Sequence, residues 1–175
     1  MPEGKTLSGQ VAWVTGSSRG LGRVMATELC RLGAAVAVHG TRFDSPRSFG
    51  EGESMEQVAR DIATDAGQGG VSGAESAGPQ FSTIGPTMPI WGDVTDESEV
   101  KRMAGEIRRR LGRIDILVAN AGGDIGAGGT GVGRGGRPNP DDCIGIPLAD
   151  IRAVMDRNLL SCILCCREVA PEMMG

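Results

Sequence analysis

The chain has 175 residues and a formal net charge of −4, with 18 Lys and Arg residues against 22 Asp and Glu residues. One domain of that length can bury a hydrophobic core, and the mild acidity argues against a broad nucleic-acid surface. No apolar run approaches the roughly 20 residues of a membrane span, and the first residues lack a signal-peptide pattern. We therefore expect a cytoplasmic protein without nucleic-acid or membrane partners.

The chain has five cysteines and a single histidine, His39. Cys162 and Cys165 have the spacing of a metal or redox pair, but no second cysteine pair accompanies them. The sequence therefore predicts no metal site, and it predicts that the cysteines are buried free thiols.

The first feature along the chain is an apolar run that leads into three glycines. Residues 11–14 predict a strand, glycines follow at 16, 20 and 22, and apolar residues then recur at helical spacing. Such a strand, glycine turn and helix can hold a phosphate on backbone N–H groups at the positive end of the helix. The G-x-x-x-G-x-G spacing differs from the standard fingerprints, so a plain strand-to-helix turn is the alternative. The candidate contacts are Gly16, Ser18, Arg19, Gly20, Leu21 and Gly22.

The rest of the chain alternates predicted strands and helices. Apolar runs and periodicity predict strands at 34–39, 87–91 and 114–119, and helices at 20–32, 54–66, 97–111 and 148–174. Pro89 favours an edge strand or an early end of the strand, and Thr95 is a candidate N-cap. Glycine-rich insertions are expected near 43–86 and 123–140.

This alternation predicts an α/β fold, a doubly wound parallel sheet with right-handed crossovers and helices on both faces. Ligands of such sheets bind beyond the carboxyl ends of the strands. Residues 15–22, 39–42, 93–94 and 120–123 follow the four strands. We therefore expect them to line one crevice.

The residues after the second strand bear on which dinucleotide the crevice would take. A free ribose 2′-hydroxyl calls for a carboxylate there, but this chain has Gly40 and Arg42 and no acid at the strand tip. Arg19 lies within the glycine turn, and two guanidinium groups suit a 2′-phosphate. The pattern favours NADP(H) over NAD(H). The alternative is that both arginines are only solvated, and Asp44 weakens the inference.

Three polar residues further along have two interpretations each. Asp93 can accept a hydrogen bond from an adenine amino group or favour the following helix N-terminus. Asn120 can tie two strands, line the pocket or be a satisfied loop amide. Asn158 is predicted within the apolar face of the last helix, between Val154 and Cys162. There it would either organise backbone and water near the site or be a core amide, since a buried amide needs partners.

Together these residues resemble the short-chain dehydrogenase/reductase family. Residues 15–22 match its T-G-x-x-x-G-x-G motif, and residues 92–94 are similar to its D-V adenine motif. Residues 119–122 are similar to its N-N-A-G motif, with Ala119 in place of the first Asn, and Asn158 falls at the active-site Asn. The nearest branch is the 3-oxoacyl-thioester reductase-like one. The cofactor contacts expected from these later motifs are Asp93, Val94, Asn120, Ala121 and Gly122.

The resemblance implies a Rossmann-type domain of which residues 1–175 are the N-terminal, cofactor-binding part, with a sheet incomplete at the C-terminus. It implies hydride transfer between NADP(H) and a small carbonyl or alcohol substrate. The family's catalytic Ser and Tyr-x-x-x-Lys pair would follow beyond this chain, which contains no tyrosine. We therefore expect a truncated enzyme, inactive by itself. The alternative is a non-catalytic dinucleotide-binding or assembly partner.

The resemblance also implies a homo-oligomer, a dimer or tetramer. The helices predicted at 97–111 and 148–174 are the expected interface. Four strands alone would leave an exposed edge, and the last helix would leave much of its apolar face uncovered.

Overall fold

The computed structural model describes residues 7–67, 84–130 and 133–175. Strands and helices alternate along it as the sequence predicts. The elements are β1 (Val11–Val14), α1 (Gly20–Arg31), β2 (Ala35–Gly40), a 3₁₀ helix (Ser45–Phe49), α2 (Met55–Gly67), β3 (Thr87–Trp91), α3 (Glu97–Arg110), β4 (Ile116–Val118), a second 3₁₀ helix (Gly133–Gly136), α4 (Leu148–Met155), a π-helical turn (Asp156–Leu160) and α5 (Ser161–Met174).

The four described strands form one parallel sheet in the order β3-β2-β1-β4. Trp13 pairs with Ala37 on one side and with Leu117 on the other, so β1 is central. Pro89 lies in β3, which is an edge strand as predicted. The strand order reverses between β1 and β4, and a crevice at such a switch point is where ligands of doubly wound sheets bind.

Each face of the sheet carries its own hydrophobic core, because successive strand residues point to opposite faces. Val11 and Trp13 pack on the side of α3 and α5. Ala12 and Val14 pack on the side of α1 and α2. The predicted doubly wound α/β fold with helices on both faces is therefore confirmed.

Several boundaries differ from the predictions. β4 covers only Ile116–Val118, and the 3₁₀ helix Ser45–Phe49 lies in a stretch predicted as loop. Thr95 is not the N-cap of α3. The carboxylate of Asp96 accepts hydrogen bonds from the N–H groups of residues 98 and 99, so the cap lies one residue later. Of the predicted insertions, residues 68–83 and 131–132 lie outside the described residues.

The predicted last helix contains the π-helical turn between α4 and α5. The predicted apolar face is largely exposed, with Met155 53%, Leu159 53% and Ile163 44% accessible. The buried residues of α5 are instead Ser161, Leu164, Cys165 and Val169. The extra residue of the π turn shifts the buried face of α5. The helix before the turn, α4, has no buried residue at all, so its predicted face is exposed because the described residues do not cover it.

The five cysteines are all free, but they are not all buried. Cys30 and Cys165 are buried, and burial raises their pKa values to about 11 and about 12. Cys143 and Cys166 are exposed, so the prediction of buried thiols is wrong for these two. Within the described residues, we find neither a cluster of metal-ligating side chains nor a helix suited to crossing a membrane.

Candidate functional site

The carboxyl ends of the four strands surround a cavity of ≈ 410 Å³. Every residue predicted to contact a cofactor lines it, whereas Asn158 does not. The predicted lining residues are Gly16, Ser18, Arg19, Gly20, Leu21, Gly22, Gly40, Arg42, Asp93, Val94, Asn120, Ala121 and Gly122. The topology thus brings together residues that are far apart in sequence.

The glycine turn between β1 and α1 is packed too closely for other residues. Gly16 has φ +67°, and a Cβ there would lie 2.9 Å from the Cα of Ala121. A Cβ at Gly22 would lie 2.4 Å from the carbonyl oxygen of Gly16. The glycines therefore let α1 begin directly against the end of the sheet.

The N-terminus of α1 opens into the cavity without a capping side chain. Arg19, the N-cap residue, has an extended backbone and makes no side-chain cap hydrogen bond within the described chain. The N–H groups of the first turn, from Gly20 onward, have no intrahelical acceptor. These N–H groups and the positive end of the helix dipole can hold an anion.

His39 lies beneath the glycine turn and is only 2% exposed. Its Nδ1 accepts a hydrogen bond from the Gly16 N–H at 3.0 Å. The proton therefore sits on Nε2, which donates to the Gly92 carbonyl at 3.0 Å. Burial lowers the pKa of His39 to about 4, so the ring is neutral. The sequence predicts that residues 39–42 line the crevice, but it gives no sign of this bridge between the ends of β1 and β3.

A second set of hydrogen bonds ties the end of β1 to the segment after β4. The Thr15 hydroxyl oxygen accepts from the N–H groups of Asn120 and Ala121, each at 3.0 Å. The Asn120 side chain donates Nδ2–H to the carbonyls of Thr15 at 3.0 Å and Gly16 at 3.2 Å. Of the roles considered for Asn120, tying the two strands is therefore the one these contacts describe, at a position that also lines the cavity.

The end of β2 and the 3₁₀ helix Ser45–Phe49 form another wall of the cavity. The guanidinium of Arg19 lies over the ring of Phe49, 3.5 Å from its centroid. Arg42 donates from Nε to the carboxylate of Asp44 at 3.4 Å. Sequence reasoning missed Phe49, because a single aromatic residue in a stretch without periodicity gives no pattern to detect.

Asp93 lines the cavity at the start of the segment that leads into α3. Its Oδ1 accepts hydrogen bonds from both the N–H and the hydroxyl of Thr95, at 2.9 and 2.8 Å. The capping of α3 is done by Asp96, not by Asp93. Asp93 therefore closes a local turn and holds its carboxylate at the cavity edge.

Asn158 lies in the π-helical turn and is exposed, so the prediction of a buried amide is wrong. Its oxygen accepts from the Gly123 N–H at 3.0 Å, and its Nδ2 donates to the carbonyls of Gly123 at 3.0 Å and Val154 at 2.7 Å. The neighbouring Arg157 lines the cavity and donates to the carbonyls of residues 125–126. The two side chains thus attach the segment after β4 to the last helices.

The glycine turn and the cavity at the strand ends agree with the family that the sequence matches. A family model described as short chain dehydrogenase matches residues 79–175, more than half of the chain. This chain belongs to the short-chain dehydrogenase family. The 7alpha-hydroxysteroid dehydrogenase of Escherichia coli strain K12 is 29% identical over 167 residues, 95% of this chain and 49% of that protein. Short chain dehydrogenase pigC of Monascus ruber is 34% identical over 116 residues, 66% of this chain and 31% of that protein.

Solved structures agree with the family and its fold. A short-chain dehydrogenase/reductase from Mycobacterium marinum is 26% identical, with a TM-score of 0.68, and the match covers 95% of this chain and 51% of that one. A metagenomic short-chain oxidoreductase solved in complex with NADP is 27% identical, with a TM-score of 0.67, and covers 97% of this chain and 58% of that one. The chain spans about half the length of these structures.

Proposed function

We propose that the chain is the cofactor-binding part of a short-chain dehydrogenase/reductase that transfers hydride between NADP(H) and a carbonyl or alcohol substrate. In this proposal residues 1–175 belong to a single Rossmann domain. The observation that carries it is the cavity at the four strand tips, with the glycine turn and the uncapped α1 on one side. The 3-oxoacyl-thioester branch stays a prediction.

The residues present fit a dinucleotide. Gly20 lines the cavity, and a Cβ there would meet no protein atom within 4 Å, so this position leaves open space beside the first turn of α1. The N–H of Gly16 is already bonded to His39, so the pyrophosphate would be held by N–H groups further along, from Gly20 to Gly22. Asp93 would accept a hydrogen bond from the adenine amino group. When bound, the dinucleotide supplies the hydride, and these residues orient it.

A preference for NADP(H) is supported by the charges near the end of β2. Arg19 and Arg42 line the cavity there, and no acid lies at the strand tip itself. Guanidinium groups bind a 2′-phosphate, whereas a 2′-hydroxyl calls for a carboxylate. The relative solved with NADP is a further support.

Titration calorimetry of the 175-residue chain with NADP⁺ and NAD⁺ tests both parts of the proposal. We expect NADP⁺ to bind about tenfold or more tightly, because hydrogen bonds to charged groups contribute roughly 1.5–3 kcal/mol. Replacing Arg19 and Arg42 together by Gln is expected to remove the preference and leave NAD⁺ affinity unchanged. Equal affinities would overturn the NADP(H) preference, and failure to bind either would overturn the dinucleotide site.

The second candidate function, a non-catalytic dinucleotide-binding or assembly partner, is favoured by one observation. The chain contains no tyrosine, so the family's proton donor is not in it. Asn158, which the family resemblance places at the active-site Asn, would act in the enzyme as a positioning residue through its two hydrogen bonds to Gly123. The intact mass of the native protein separates the two. A mass near 18.1 kDa, without oxidation of NADPH by carbonyl compounds, supports the binding partner, and a much larger mass supports the enzyme.

We further propose a homo-oligomer, a dimer or tetramer, through α3 and the last helices. The exposed apolar side chains of α4 and α5 support this, because surface of that kind is usually covered. A sedimentation velocity run that shows only monomer across a range of protein concentrations would overturn the oligomer.

We also propose a cytosolic location, which accords with the five free cysteines.

A further inference from the structure

We propose that Phe49 determines the choice between the 2′-phosphorylated and the 2′-hydroxyl dinucleotide by holding the guanidinium of Arg19 ready for the phosphate. This inference rests on the proposed function. Phe49 lines the cavity together with Arg19, and the guanidinium lies 3.5 Å from the centre of the ring. Phe49 makes its contribution through Arg19, so it is a positioning residue.

The stacked arrangement uses the face of the guanidinium and leaves its edge available. All five N–H donors of an arginine lie in the guanidinium plane, and a phosphate is bound through that edge. Within the described residues, Arg19 forms no ion pair with a carboxylate. An aromatic face under the group therefore attracts its charge without occupying the donors that a 2′-phosphate needs.

Arg42, the other guanidinium at this wall, is held differently. Its Nε donates to Asp44 at 3.4 Å, so part of its binding edge and part of its charge are already engaged by a carboxylate. Both side chains of that pair are more than half exposed. Arg19 therefore contributes more than Arg42 to the discrimination between the 2′-phosphate and the 2′-hydroxyl. The contact with Phe49 sets how strongly Arg19 binds the phosphate.

The backbone that carries Phe49 is fixed by the fold. Phe49 is the last residue of the 3₁₀ helix Ser45–Phe49, which has the buried Pro46 in its first turn. The C-cap residue Gly50 has the left-handed conformation, φ +68°. The following residue, Glu51, is tied to α1 because its carbonyl accepts from Arg23 at 3.1 Å. With its backbone held in this way, Phe49 can keep its ring against Arg19, and this contact lowers the rotamer entropy that Arg19 would lose on binding a phosphate.

A pair of phenylalanines in the same segment gives a matched experiment. Phe43 stacks edge-on against Trp91, with ring centroids 5.3 Å apart, whereas Phe49 lies under Arg19. We would measure the binding of adenosine 2′,5′-bisphosphate and adenosine 5′-monophosphate to the wild-type chain and to the F49L and F43L variants. F49L is expected to weaken the bisphosphate about threefold to fivefold and to leave the monophosphate within about twofold. F43L is expected to leave both affinities as in wild type. F49W, which keeps an aromatic ring under Arg19, is expected to retain the wild-type preference for the bisphosphate.

The outcomes separate this inference from the function on which it rests. A wild-type chain that binds both nucleotides equally overturns the NADP(H) preference, and the inference with it. A wild-type chain that prefers the bisphosphate, with F49L keeping the full preference, overturns the role of Phe49 alone. If F49L and F43L weaken the binding of both nucleotides equally, at matched melting temperatures, the segment acts only as a structural wall. That result would also overturn the role of Phe49.

Discussion

The two sides of the cavity are built in opposite ways. The floor, made by the strand tips, is largely buried and internally hydrogen bonded, with His39, Thr15 and Asn120 joining all four strand ends. The side formed by the last helices, which reaches the cavity through Arg157, is open. Beside Arg157, Asn158 is exposed, and Met155 and Leu159 are each 53% accessible. A substitution in the floor must therefore disturb folding and binding together. A substitution on the helical side should act locally.

The difference also bears on where specificity resides. The floor is specified by contacts that this chain makes with itself, and that is why the dinucleotide site is the part of the function that the chain supports best. The helical side presents apolar surface for which the described residues provide no cover. Under the proposed function, substrate selection would depend on what covers this apolar surface.

The largest expected effect comes from protonating His39. Its pKa in the folded chain is about 4 because burial disfavours the charged ring, although the Gly92 carbonyl and the Asp93 carboxylate partly oppose this. The ordinary value is 6.5. Between these values the unfolded chain binds more protons, so stability is full above pH 6.5 and falls as the pH drops towards 4. The loss should reach about 3 kcal/mol, measured by urea unfolding at a series of pH values.

The variant H39Q is the control for this pH dependence. Glutamine does not titrate, so the unfolding free energy of H39Q should fall less steeply between pH 6.5 and 4, although its stability at pH 7.5 should be lower. If wild type and H39Q lose stability in parallel over that interval, the neutral ring of His39 is not what holds the floor together.

The next largest effect is expected from Gly22→Ala. A Cβ at this position would lie 2.4 Å from the Gly16 carbonyl oxygen and 2.5 Å from Nδ2 of Asn120. Overpacking of this kind should lower the unfolding free energy by about 2 kcal/mol and weaken NADP⁺ binding about tenfold or more, because the turn must move. Thermal unfolding and calorimetry give the two values.

Gly105→Ala provides the matched comparison, since it also changes a helical glycine. Its Cβ would meet nothing closer than Arg109 at 3.7 Å, an ordinary contact. We expect a gain of about 0.5–1 kcal/mol from helix propensity and no change in NADP⁺ affinity. Similar losses in the two variants would contradict the idea that the floor is more tightly constrained than the rest of the chain.

The parts of this fold that follow a regular period were accessible from the sequence. β1 and β3 have the predicted bounds, and α1 and α3 each end one residue before the predicted end, because apolar runs and 3.6 periodicity depend on local packing. The cavity lining was predictable because parallel strands place their carboxyl ends together. The element bounds follow from local periodicity and the cavity lining follows from parallel topology, and neither depends on particular side-chain contacts.

The contacts that define the site were less accessible. His39 was visible as a polar residue at a strand tip, but its bonds to Gly16 and Gly92 depend on strand order, which the sequence leaves open. Phe49 has no periodic context. Asn158 was misplaced because its burial was predicted from an apolar face that the described residues leave uncovered.

The smallest of the expected effects concerns Asn158, on the open side. Asn158→Leu removes the hydrogen bonds to Gly123 and Val154, but water can replace them because the site is exposed. We expect the unfolding free energy to fall by only about 1 kcal/mol, while amide hydrogen exchange at Gly123 accelerates at least tenfold. Asn158→Asp keeps an acceptor for the Gly123 N–H and should fall between wild type and Asn158→Leu in exchange rate. A loss of more than about 2 kcal/mol with unchanged exchange at Gly123 would mean that Asn158 supports the whole fold, and that the helical side is no more local in its effects than the floor.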